Sequence, residues 1–225
     1  MKHTENELLA LKEEVGQMWR LVLSQLEKAK QAFEGNDIEL AREVASREKR
    51  VNSFELKIDS DCENFIALYN PVAIDLRLVL SLIKISITLE RIADFADGIA
   101  KYVIDAAGNT EVEDLKDDLK IEPMFDAVIE MLSNSYMALE SENTRFAGKI
   151  LARDEIVDEI YRNAIQVLAE AVRNKKLDPE NGLKTMLVIR KIERIGDHCS
   201  NIIEEIVFYI DAKILKHSKK EEAKD

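Results

Sequence analysis

Glu90 and Asp94 lie four residues apart in Glu90-Arg91-Ile92-Ala93-Asp94, and Glu193 and Asp197 repeat that spacing in Glu193-Arg194-Ile195-Gly196-Asp197. On a helix, residues four apart stand one above the other on the same face. A second pair of motifs has the same spacing: Glu48 with Asn52, and Asp154 with Asp158. Stacked carboxylates beside an apolar stripe are costly unless something positive meets them. Clustered acids also raise one another's pKa and repel, so a bound cation stabilises them. All-oxygen donors suit hard ions such as magnesium, manganese or iron, and zinc is a further candidate. Asn52 stands where the second half has Asp158, so the first set has one charge fewer and is expected to bind more weakly.

The alternative partner is arginine. Arg47, Arg91, Arg153, Arg190 and Arg194 all fall near the acid motifs, and bidentate Arg–carboxylate pairing would lock the rows without metal. Spacing leaves the two readings open. An oxygen-activating di-iron site fits less well, because ferritin-like centres use Glu-x-x-His on two helices. Here Ala93 and Gly196 occupy the histidine positions, and His198 follows Asp197 directly. The chain has no glycine-rich phosphate loop, no Gly-x-Ser-x-Gly and no Cys/His zinc spacing.

The elements that must position these residues are helices. The first is expected over about 5–33, with Leu8, Leu11, Val15, Met18, Val22, Leu26, Ala29 and Phe33 at spacings of three and four. Gly35-Asn36-Asp37 ends it and supplies a cap for a second helix that runs through Val44, Val51, Ile58 and Cys62 to Asn70-Pro71. The third, about 74–104, places Leu76, Val79, Ile83 and Ile87 in one row that Glu90, Asp94 and Asp97 continue. Three more helices follow: one with Pro123 in its first turn, one from about 144 to 172, and one opened by Asp178-Pro179. The last repeats the change from apolar to acidic along Met186, Ile189, Glu193, Asp197, Ser200 and Glu204.

The chain is internally duplicated. At an offset of 106 residues Glu34 falls on Glu140, Ala41 on Ala147, Arg47 on Arg153, Glu48 on Asp154 and Val51 on Val157. The Glu-Arg-Ile copies are offset by 103, so the second half has a connection three residues shorter. A long period occurring twice marks a duplicated domain rather than a solenoid. The expected organisation is a first three-helix bundle over 1–107, an acidic linker over 108–118, a second bundle over 119–213 and a charged tail over 214–225.

Composition agrees. Seven Gly and three Pro in 225 residues, with 46% hydrophobic and 34% charged residues, favour long helices and few turns. A net charge of −12 argues against nucleic acid as partner. Cys62 and Cys199 fall in apolar stripes, as core residues in a reducing compartment do. The richest apolar run, Leu76 to Leu89, contains Arg77 and Lys84 and is too short to span a bilayer. The N-terminus carries no apolar signal core. The expectation is a soluble, cytoplasmic, all-α protein.

The ordered set of motifs, together with Asn70-Pro71 and Asp75-Leu76-Arg77 ahead of the first Glu-Arg-Ile, resembles the PhoU family of phosphate-specific transport accessory proteins. The resemblance covers the chain from its first helix to about residue 212. It implies two tandem, pseudo-symmetric three-helix bundles with six long helices, and metal ions or clusters at the motifs. Carried over by position, the first metal site comprises Glu48, Asn52, Glu90 and Asp94, and the second Asp154, Asp158, Glu193 and Asp197. The ion is iron, zinc, manganese or magnesium, and Asn52 departs from the acidic pattern. The implied role is non-enzymatic: a negative regulator of phosphate uptake and phosphate-starvation signalling. Its implied partners are the ATPase subunit of the phosphate ABC transporter, a phosphate sensor histidine kinase and a second copy in a homodimer. No nucleic acid and no membrane insertion are expected. The competing readings are a carboxylate-bridged metal enzyme and a metal-free helical scaffold.

Overall fold

The apolar stripes become helices. A computed structural model describes residues 2–106 and 115–215, and among these there is no strand. The elements are α1 (Lys2–Gly35), α2 (Ile38–Ser46), α3 (Glu48–Tyr69), α4 (Ala73–Asp105), α5 (Lys116–Leu119), α6 (Ile121–Ser141), α7 (Ala147–Arg173) and α8 (Pro179–Asp211). The fold is an all-α helical bundle.

Local signals set most boundaries. Asn36 takes the left-handed conformation after α1, and Asp37 caps α2 by accepting from the Leu40 amide at 3.0 Å. Asn70 ends α3 in the same left-handed region, ahead of Pro71. Asp178 caps α8, with Pro179 in its first turn.

Two features depart from the simplest helical reading. The second helix is not continuous. At Arg47 the ladder tightens to i→i+3 bonds, Arg47 N–H to Val44 O at 3.1 Å and Arg50 N–H to Arg47 O at 3.0 Å, which separates α2 from α3. The end of the expected linker also forms a helical turn. Most of 108–118 lies outside the described residues, as does the tail from 216 on, but Leu115 leads into the single turn α5. There Leu115 and Leu119 are buried.

Helices α1 to α4 pack on one another, and so do α6 to α8. The halves meet along α4 against α8 and α1 against α6. The α4–α8 pair is antiparallel: Arg77 donates to Tyr209 O at 3.1 Å, Ser81 to Glu205 O at 3.3 Å, and Tyr102 meets Thr185 at 3.3 Å. Across α1 and α6, the Trp19 indole N–H donates to Leu132 O at 3.2 Å. Trp19 lies off the apolar stripe of α1 yet is fully buried, because α1 packs on two sides.

Candidate metal centre

The acid motifs of adjacent helices face one another. In the first half, burial raises the Glu90 carboxyl above the usual range, and Asp94, Glu55 and Glu48 add to the effect against Arg91. Burial likewise raises Asp94, with Glu48 and Asp97 adding to it and Lys101 opposing. Thus Glu48 of α3 stands close enough to act on both acids of α4. In the second half, Glu193 is raised by burial and by Asp197 and Asp158, while Asp197 is raised by burial and Asp158 against Arg194. Asp158 of α7 therefore reaches both acids of α8.

Asp154 is seated against α8 itself. It accepts from the Ser200 hydroxyl at 2.9 Å. A Cβ placed on Gly196 would lie 2.9 Å from Asp154 Oδ1, so the missing side chain makes the notch that this carboxylate fills. Asn52, at the position equivalent to Asp158, has a buried Oδ1 without a hydrogen-bond partner.

Asp97 belongs to this neighbourhood as well, although it is not in the carried-over ligand set. It is 5% exposed, pairs through Oδ2 with Lys101, and has a buried Oδ1 without a hydrogen-bond partner. The sequence signal was its place in the acid row after Asp94. Its counterpart at offset 103 is Ser200, so the acid lost at Asn52 is matched by one gained at Asp97.

The arginine lattice is sparse. Arg47 bonds Glu43 at 2.6 Å and Ser24 at 3.2 Å, and Arg153 pairs with Glu130 at 2.8 Å. Arg194 takes Asp197 at 3.0 Å. Glu48, Glu90, Asp94, Asp158 and Glu193 have no ion pair among the described residues. The rows thus carry negative charge that arginine does not neutralise.

These donors fit a hard cation by charge and chemistry: oxygen atoms only, raised carboxyl pKa values, orphaned buried oxygens and the Gly196 notch. Their placement does not yet gather them around one ion. Among the described residues, no three acid, histidine or cysteine side chains converge closely enough to share one ion. His198 turns away from this chemistry. It is buried, stacked on Phe95 of α4 with centroids 5.6 Å apart, and burial holds its pKa down at about 4. Cys62 and Cys199 are buried thiols, both pushed up by burial, Cys62 to about 12. They are core residues rather than nucleophiles.

Fold and site together define a duplicated all-α bundle protein with paired acid rows. The PhoU domain family model matches residues 15–103 and again 121–206. The chain belongs to the PhoU family. It is 33% identical over 211 residues to the phosphate-specific transport system accessory protein PhoU homolog of Aquifex aeolicus, covering 94% of each chain. It is 31% identical over 211 residues to PhoU of Escherichia coli, covering 94% of this chain and 86% of that one. The crystal structure of PhoU from Pseudomonas aeruginosa matches with a TM-score of 0.86 at 28% identity, over 93% of this chain and 99% of that one. The fold is shared also with the phosphate transport system regulatory protein PhoU of Streptococcus pneumoniae, at a TM-score of 0.84, 24% identity and coverage of 95% and 99%. None of the helices among the described residues is long and apolar enough to cross a membrane.

Proposed function

We propose that the chain is a cytoplasmic, non-enzymatic negative regulator of phosphate uptake and phosphate-starvation signalling. In this reading it is an adaptor between the phosphate transporter ATPase and a sensor histidine kinase, working as a homodimer. The observation that carries the proposal is the double match to the PhoU domain over both halves, in a protein whose relatives are named as transport accessory proteins.

Metal is part of the proposal. Glu48, Asn52, Glu90 and Asp94 would hold an ion in the first half, and Asp154, Asp158, Glu193 and Asp197 in the second. A bound iron, zinc, manganese or magnesium ion would supply positive charge to the rows and hold facing helices together. The residues' own part is to present oxygen from two helices: α3 and α4 in one half, α7 and α8 in the other.

Deleting the gene is the test. Phosphate-starvation genes should then be expressed even when phosphate is plentiful, and the purified protein should retain the transporter ATPase or the kinase in a pull-down. Normal repression in the deletion strain, with neither partner retained, would overturn the regulatory reading. Metal analysis of protein purified without chelator tests the second part; absence of bound metal supports the scaffold instead.

A further inference from the structure

The two halves close the same corner in different ways. At the offset of 106, Ser24, Lys28, Glu43 and Arg47 of the first half correspond to Glu130, Asn134, Lys149 and Arg153 of the second. In the first half a network of ion pairs ties α1 to α2. Glu43 takes both Lys28 and Arg47, the latter at 2.6 Å, and Arg47 also donates to the Ser24 hydroxyl at 3.2 Å. Beneath them the buried Gln25 amide donates to Val44 O at 3.4 Å. In the second half only one link remains, Arg153 on Glu130 at 2.8 Å. The pair of Lys28 with Glu43 is replaced by Asn134 and Lys149, which cannot form an ion pair, and Gln25 by Met131. Among the described residues the side chains of Asn134 and Lys149 have neither a hydrogen bond nor an ion pair.

Where the pair is missing there is a hollow of 320 Å³ between α6 and the start of α7. The apolar surfaces open to a ligand are Met137 and Phe146, 63% and 67% exposed, backed by the buried Met131 and Ile150. Asn134, Lys149 and the Arg153–Glu130 pair make its polar wall. The Ser141 hydroxyl and the Asn143 side-chain carbonyl, which also line it, are already used, on Met137 O and the Arg145 amide. Small-molecule sites have this build: about 300–1,000 Å³, mostly apolar, with a few polar groups that orient the ligand. The counterparts of Met137 and Phe146 are Gln31 and the half-buried Leu40. The second half has thus gained exposed apolar surface at the corner where it lost an ion pair.

We propose that this hollow binds a small amphipathic carboxylate, whose apolar chain lies on Met137 and Phe146 and whose head accepts from the Lys149 ammonium and the Asn134 amide. The unpaired groups choose the head. One free ammonium beside a neutral donor suits a single negative charge. A phosphate would call on a guanidinium fork, and the guanidinium here, Arg153, is held by Glu130. The exposed apolar pair chooses the body, since a purely polar anion would leave Met137 and Phe146 in water. The site lies apart from the acid rows and goes beyond the regulatory reading, on which it does not depend.

The experiment titrates the full chain by calorimetry with three probes: octanoate, octylamine with a similar tail and the opposite charge, and acetate with the head alone. Octanoate should bind, and the other two should bind at least about tenfold more weakly. Asn134→Lys with Lys149→Glu rebuilds the first half's ion pair in the second and should weaken octanoate by about tenfold or more. Phe146→Ser removes one apolar wall and should also cost about tenfold. Phe146 is the N-cap of α7 and makes no side-chain capping bond, so serine there should leave the melting temperature unchanged or raised. Lys176→Glu, at an exposed lysine beyond the end of α7, should leave octanoate binding unaltered. No binding of octanoate to the wild type, octylamine binding as tightly, or equal loss in Lys176→Glu would overturn the proposal. So would sedimentation showing that the chain self-associates and that Phe146→Ser abolishes it, since a second copy would then occupy this face.

Discussion

In the second half Asp154 fills the notch at Gly196 and accepts from Ser200; in the first half the counterparts of these three residues are Glu48, Ala93 and Asp97. A shorter acid with a glycine notch and a hydroxyl is exchanged for a longer acid, an alanine and a further carboxylate. The first set loses an acid at Asn52 and gains one at Asp97, which Lys101 holds. The second keeps Asp158, and Arg194 holds Asp197. The halves therefore differ in atoms while presenting similar charge. Duplication has preserved a balance rather than a residue list.

The strongest way to break this comparison is to neutralise one half at a time. Glu193→Gln with Asp197→Asn should lower metal affinity of the second half by about 100-fold, and Glu90→Gln with Asp94→Asn should do the same to the first alone. Isothermal titration calorimetry on each variant separates them; loss of both sites from either pair would show one shared centre. The same variants report on pH. These four carboxyls are raised in the folded state above 4.5 for Glu and 3.8 for Asp. Folding therefore binds protons, and the stability tied to that binding is complete in acid and lost as pH rises through the raised values. Without metal at pH 7, the neutralised variants should melt roughly a few degrees higher than the wild type, and the difference should vanish well below pH 3.8.

A second contrast is Phe95 against His198, which occupy matching positions and stack on each other between α4 and α8. Burial depresses the His198 pKa from 6.5 to about 4. The unfolded chain takes up a proton first as pH falls, so stability present above pH 6.5 is lost down to about 4. His198→Phe should keep the stack and remove about 2 kcal/mol of that acid sensitivity. Urea unfolding at pH 7 and pH 4.5 measures it; an unchanged pH slope would contradict a neutral, buried imidazole.

Asp97 gives a finer test. Asp97→Asn should weaken metal binding in the first half by about tenfold, and Asn52→Asp should strengthen it by a similar factor. If Asp97→Asn changes nothing while Asn52→Asp acts, the charge balance between the halves is not real.

The smallest effect expected is at the notch. Gly196→Ala gains helix propensity but pushes a methyl against Asp154 and to 3.3 Å from Val157. The net cost is about 1 kcal/mol, and second-half metal binding should weaken with it. Ala93→Gly should cost about 1–2 kcal/mol, through backbone entropy and the loss of a buried methyl, with metal binding in the first half unaffected. Thermal melts and calorimetry of the two variants compare them directly.

The helical class, most helix ends and the two acid rows are legible in the linear order of residues. Apolar spacing in Leu11, Val15, Met18 and Val22 specifies one buried face, and Asp37, Asn70-Pro71 and Asp178-Pro179 act through bonds to residues nearby in the chain. These signals are local, so a linear reading can hold them. Tertiary structure alone decided what depends on a second contact face. Trp19 is buried because α6 covers the far side of α1. Asp97 is buried in a row that spacing alone marks as acidic but cannot mark as closed to solvent. The stacking of Phe95 on His198 requires the antiparallel meeting of α4 and α8, and the break at Arg47 resets the helix that presents Glu48. Gly196 reads in sequence as a mere helix weakness; only the approach of α7 shows that its absent side chain is the space Asp154 fills. Periodicity specifies which side of a helix avoids water, whereas the identity of what meets that side is fixed by packing between residues a hundred positions apart.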